Sequence, residues 1–124
     1  MTDTIVYKIL DAADWRSAAA SGSYTGSADD ARDGFVHLST AGQLAGTAAK
    51  WFRGRADLVL VALDVGRLGA ALRWEPSRGG ALFPHLYGAL DVAAAISVQP
   101  MTLDAEGIPV VPPEVPTWIK GGIT

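Results

Sequence analysis

Short apolar runs alternate with polar, glycine-bearing joints along this chain, and the spacing within each run predicts strands and helices in a mixed order. Residues 5–10 are apolar and β-branched enough for a strand, and Asp11 then offers an oxygen to cap a helix over 12–20. That helix stops near Gly22 and places Trp15, Ala18 and Ala19 against the core. Residues 22–34, with Asp29, Asp30, Arg32 and Asp33 crowded together, read as a mobile surface loop. From Phe35 to Ser39 the alternation puts Phe35, His37 and Ser39 on one strand face and Val36 and Leu38 on the other.

Thr40 followed by Gln43 fits a capping box, and Leu44, Ala48, Trp51 and Phe52 recur at helical spacing as the buried face of a second helix. The nearly continuous aliphatic run 58–65 suits a central strand covered on both faces. Further strands are expected over 73–77, 82–87 and 94–103. Residues 1–108 then form a single domain, and 109–124, with four prolines, form an extended strap that Trp118 anchors.

Composition narrows the function classes. At 124 residues, 49% apolar and 19% charged, the chain reads as one compact domain rather than a disordered segment. A formal charge of −3 argues against bulk nucleic acid as partner, because neutralising backbone phosphates requires a basic face. The absence of cysteine removes disulfides, thiolate nucleophiles and Cys-based zinc sites. No apolar run reaches membrane-spanning length, so no membrane partner is expected and a cytoplasmic protein is the default. The sequence is silent on oligomeric state.

Candidate chemistry concentrates in two segments that hold both histidines, 34–40 (GFVHLST) and 72–88 (LRWEPSRGGALFPHLYG). A strand passing directly into a capped helix exposes backbone amides that attract anions. His37, Ser39 and Thr40 therefore stand beside a pocket for a phosphate, carboxylate or polarised hydroxyl, unless His37 is simply a core histidine satisfied by a carbonyl. In the second segment alternation puts His85 and Tyr87 on one face, an acid/base group beside a stacking surface suited to a heteroaromatic ring. Gly79 and Gly80 let the backbone turn sharply and return Arg78 toward the strand ends, where it suits a phosphate or carboxylate. Ser77 lies beside it, and Glu75 suits a sugar hydroxyl or a cation, or else pairs with Arg78 across a hairpin. Trp74 reads as core packing. No H-E-x-x-H spacing, G-x-S-x-G elbow, Walker loop or G-x-G-x-x-G is present, so metal, conventional hydrolase, phosphoryl-transfer and Rossmann chemistries lack support.

Taken together, VYKIL, GFVHLST, LVLVALD and WEPSRGGALFPHLYG resemble the domain of unknown function family 952 (DUF952), a group of small bacterial proteins, over roughly residues 5–103. The resemblance implies an α+β, ADP-ribosyltransferase-like split β-sheet with two main helices. The order of elements is similar to that of the RNA 2′-phosphotransferases, which carry a V-H-L-S strand and then an aliphatic strand ending in an acidic residue, here His37 to Ser39 and Asp64. Where that superfamily's first strand often carries a His or Arg, this chain has Tyr7 and Lys8, and only Glu75 stands in for its late Glu. The implied ligand is NAD, ADP-ribose or a related nucleotide, without a metal. In that reading His37 and His85 are the catalytic candidates, His37 at a ribose hydroxyl and His85 for proton transfer or orientation. Tyr87 stacks on the ring, Arg78 meets the pyrophosphate, and Ser39, Thr40, Glu75 and Ser77 complete the binding set. Three outcomes stay open: an NAD-utilising transferase of the ADP-ribosyltransferase or phosphotransferase type, a non-catalytic module that senses a metabolite or holds a peptide in the same cleft, and a plain structural scaffold, in which the two histidine segments would lie far apart.

Overall fold

A computed structural model describes residues 4–112, the side chain of Arg78 excepted. In chain order it contains β1 (Ile5–Asp11), α1 (Ala12–Ser21), β2 (Ser23–Tyr24), α2 (Ala28–Asp33), β3 (Val36–His37), α3 (Leu44–Trp51), β4 (Leu58–Asp64), α4 (Val65–Leu68), β5 (Leu72–Pro76), β6 (Leu82–Leu86), β7 (Leu90–Asp91) and β8 (Ala95–Met101). This is an α+β arrangement of antiparallel sheets with few helices. The strands form two three-stranded sheets, β1-β4-β8 and β3-β6-β5, and a small β2-β7 ribbon. The two larger sheets meet where Tyr7 and Ser39 exchange backbone hydrogen bonds of 2.8 and 2.9 Å.

β4 lies at the centre of its sheet for the reason its composition gives: both of its faces are covered. Val59, Val61 and Leu63 join Val6 and Leu10 in one apolar cluster. Leu58, Leu60 and Ala62 join Tyr7, Ile9, Leu44 and Ala48 in the other. Successive strand residues point to opposite faces, so an uninterrupted aliphatic run feeds two cores at once. Lys8, with the parity of Val6 and Leu10, enters the first layer as a buried cation.

Three local expectations change. Residues 22–34 are not a loop: Ser27 Oγ accepts from the Asp30 N–H at 3.2 Å while Asp30 Oδ2 accepts from the Ser27 N–H at 2.9 Å, and this capping box starts α2. Asp11 does not cap α1 through its side chain, because it is drawn into an ion pair with Arg55 at 2.9 Å. Ala19 and Trp51 are exposed, Trp51 to 58%; α1 turns only Ala18 fully inward, and α3 ends at Trp51, beyond the buried ridge of Leu44 and Ala48. Gly22 stops α1 as expected, in the left-handed conformation at φ 99°. Of the strap, Pro109 bridges to Leu103, whereas Trp118 lies outside the described residues. Among the described residues no helix is long and apolar enough to cross a membrane.

Candidate functional site

Register brings the two histidine segments together. β3 and β6 are antiparallel neighbours with His37 directly opposite His85, and the ring centroids are 5.7 Å apart. Their side chains share the sheet face away from the core, because Val36, Leu38 and Leu86 fill the opposite face. β5 pairs with β6 on its other side, so Glu75, opposite Phe83, reaches the same face. The resulting cleft has a cavity of about 240 Å³, bordered by Lys8, Asp30, His37, Ser39, Ser77 and His85 and by the rings of Trp51, Phe52 and Phe83.

The imidazoles are held differently. His37 sits between two carboxylates, Nδ1 at 2.6 Å from Asp30 Oδ1 and Nε2 at 2.9 Å from Asp33 Oδ2. Both ring nitrogens thus face protein carboxylates, which leaves neither for a ligand. His85 places Nδ1 at 2.8 Å from Glu75 Oε1, while Nε2 has no hydrogen-bond partner among the described residues. His85 is 5% exposed and lines the cavity, with Phe35 stacked on it at 4.0 Å. A carboxylate on one nitrogen orients the ring and fixes which nitrogen faces the cleft, as acid–base chemistry requires.

Glu75 also accepts from the Tyr87 hydroxyl at 2.8 Å. The hydrogen bonds from His85 and Tyr87 hold its carboxyl below the usual range, and the bond to Glu75 pushes the Tyr87 phenol up. Glu75 thus accepts from its own imidazole and phenol, while the expected pair with Arg78 involves a side chain outside the described portion. Tyr87 does not line the cavity; Arg73 covers its ring at 4.9 Å.

Beneath the imidazoles lies a buried ion pair. Lys8 Nζ donates to Asp30 Oδ2 and to the His37 carbonyl, both at 3.0 Å. Burial pushes the Lys8 ammonium down from the usual lysine range, with Asp30 opposing. Burial likewise pushes the Asp30 carboxyl up, but His37, Lys8 and the Ser27 and His37 amides outweigh it and hold the group well below the usual range. Lys8 and Asp30 are structural members of the site that sequence reasoning left out. The S-x-x-D capping pattern at Ser27 was the available signal for Asp30.

The other expected residues fall in different places. The Ser39 hydroxyl borders the cleft, buried, 3.0 Å from Thr47 Oγ1. The Thr40 N–H is taken by Gln43 Oε1 at 3.0 Å and the Ser39 N–H by Tyr7, so these amides are not open to an anion. Ser77 borders the cleft from the exposed side, and the Arg78 side chain lies outside the described portion. Among the described residues no group of His, Asp and Glu is arranged to hold a metal ion.

Comparison with known proteins follows the same outline. A crystal structure of protein CC0527 from Caulobacter crescentus is 52% identical, covering 86% of this chain and 94% of that one with a TM-score of 0.84. A solution NMR structure of CC0527 is also 52% identical, covering 86% and 92% with a TM-score of 0.77. No curated protein matches. The profile described as "Protein of unknown function (DUF952)" matches residues 9–98, most of the described domain including both histidine segments, and the chain therefore belongs to the DUF952 family.

Proposed function

We propose that the cleft binds NAD, ADP-ribose or a related nucleotide, with His85 as its acid–base group and the fold as an ADP-ribosyltransferase-like split sheet. The observation that carries this reading is the register of His37 against His85, which sets two carboxylate-held imidazoles at one cavity above the Lys8 ammonium. Two separate three-stranded sheets joined at Tyr7 and Ser39 suit a fold that grips a ligand between them. The cavity, about 240 Å³, lies below the size typical for drug-sized ligands. It suits the nucleoside portion, with phosphates directed toward exposed Ser77.

In the catalytic form the nicotinamide leaves with the electron pair of its bond to ribose, and the sugar becomes oxocarbenium-like. An acceptor hydroxyl adds to that carbon while His85 Nε2 takes its proton. His37, with both nitrogens occupied by carboxylates, contributes position.

Calorimetric titration with NAD, ADP-ribose and AMP tests the reading. Wild type binds at least one of them, and His85→Ala weakens that binding about tenfold or more. Absence of binding to all three up to about 5 mM defeats it. Chromatography of an NAD incubation for free nicotinamide then separates an enzyme from a sensor, since a sensor releases none.

A further inference from the structure

The cavity beside the histidines is bordered by a pair of hydroxyls that proton transfer at His85 does not use. Ser39 Oγ and Thr47 Oγ1 lie 3.0 Å apart, and both residues border the cavity. Ser39 is 4% exposed, while Thr47 is half-buried and so presents the more open end of the pair. Both stand on fixed backbone: Ser39 exchanges hydrogen bonds with Tyr7 where the two sheets meet, and Thr47 lies one turn before Trp51 in α3.

Each hydroxyl carries one hydrogen and two lone pairs. One hydrogen lies between the two oxygens, so the other has no acceptor among the described residues. A helical threonine ordinarily turns its hydroxyl to a carbonyl one turn back, but the Thr47 hydroxyl bonds to Ser39 instead. Folded proteins rarely leave such a donor unused, so the pair points to an acceptor in the cavity.

The lone pairs narrow what that acceptor is. A phosphate or carboxylate takes the spare hydrogen but donates nothing back, and an ammonium donates but accepts nothing. Lys8 and Arg32, the lysine and arginine that border the cavity, are already paired with Asp30 and with Asp29 and Asp33. Among the described residues no free lysine or arginine is therefore left there to receive an anion. A vicinal diol both donates and accepts from two adjacent oxygens, which matches two protein oxygens 3.0 Å apart. A carboxamide does both as well, but its nitrogen and oxygen share one carbon and sit closer together than the protein oxygens. Ser39 follows His37 by two residues on the same face, one row along from His85. A sugar held there turns its anomeric carbon toward the His85 ring.

From these observations we infer that the Ser39–Thr47 hydroxyl pair reads the vicinal diol of a ribose and makes the cleft selective for a ribonucleotide over its deoxy forms. The inference rests on the nucleotide reading and adds to it the group that fixes the sugar. His37 does not fill that role, because both of its ring nitrogens face carboxylates.

The test is calorimetric titration of the full chain with NAD, ADP-ribose and AMP, followed by the 2′-deoxy and 3′-deoxy forms, at each ribose, of whichever ligand binds tightest. Thr47→Val, which keeps the side-chain volume, and Ser39→Ala are titrated beside wild type. In wild type the deoxy forms at one ribose are expected to bind about fivefold or more weakly than the parent. Thr47→Val weakens the parent by a similar factor and removes the difference between parent and deoxy form, which loss of packing alone would leave in place. Ser39→Ala does the same if Thr47→Val fails to fold. Failure of all three nucleotides to bind removes the nucleotide reading, and this inference with it. Nucleotide binding that is unchanged in both variants, or a deoxy penalty that persists in them at full size, overturns this inference alone and leaves water as the acceptor of the spare hydrogen.

Discussion

Asp30 is the most heavily engaged side chain of the candidate site. At 2% exposure it accepts from Lys8 Nζ at 3.0 Å, from the Ser27 N–H at 2.9 Å and from the His37 N–H at 3.0 Å, and it faces His37 Nδ1 at 2.6 Å. An amide in its place keeps the volume but leaves the buried Lys8 ammonium without its counter-charge. Asp30→Asn is therefore expected to lower unfolding stability by about 3–5 kcal/mol, as read by urea denaturation at neutral pH. A loss below about 1 kcal/mol would mean that water has reached Lys8 and that the pair is not closed. Tyr24 gives the opposite expectation. Its hydroxyl has no described partner, so Tyr24→Phe removes a desolvated polar atom while keeping the ring in the core, and the ligand-free variant should melt at the wild-type temperature or above. A clear fall in Tm would show that the oxygen is already satisfied.

The element that builds the site is α2, six residues whose one fully buried side chain is the Asp30 carboxylate. Its capping box is the start signal, so Ser27→Ala is expected to cost about 1 kcal/mol and to speed hydrogen exchange at the Ala31 and Gly34 amides, which close onto Ser27 and Asp30. Gly26, one residue earlier, stands at φ 114°, and a Cβ there would lie 2.8 Å from Asp30 Cβ. Gly26→Ala therefore combines backbone strain with a clash at the root of the Asp30 side chain, and should lower Tm more than Ser27→Ala does. α2 also shows why part of the site was hidden in the sequence. Hydropathy periodicity finds helices that bury apolar stripes, and Ala28–Asp33 buries a charge instead, so its polar residues resemble a loop. Trp51 fails in the converse way: helical spacing assigns it inward, but it falls on the last residue of α3, where it walls a cleft. By contrast β4 and the face shared by Phe35 and His37 were legible, because strand alternation depends only on neighbouring residues. The contact of Glu75 with His85 joins residues from two strands, and no local pattern specifies a cross-strand partner.

For the whole molecule, the chain of contacts from Lys8 on β1 through Asp30 on α2 to His37 on β3 ties one three-stranded sheet to the other across the floor of the cleft. The Asp30 carboxyl is held well below its ordinary range in the folded protein, despite burial, by His37, Lys8 and two backbone amides. A carboxyl with a depressed folded value binds its proton more weakly than in the unfolded chain, whose value is about 3.9. Its stabilisation is complete well above that value and is lost as pH falls from about 5 toward the folded value. Glu75, Asp33 and Asp104 are also held low, so acid sensitivity alone does not identify Asp30. The difference between wild type and Asp30→Asn does, since those three carboxyls are common to both proteins. Measured by urea denaturation from neutral to acid pH, that difference should be largest near neutrality and shrink steadily below about pH 4, as wild-type Asp30 becomes harder to keep ionised on folding. A difference that stayed constant across the range would place the joint between the sheets in packing rather than in the buried charge, and would remove Asp30 from the account of how the cleft is held together.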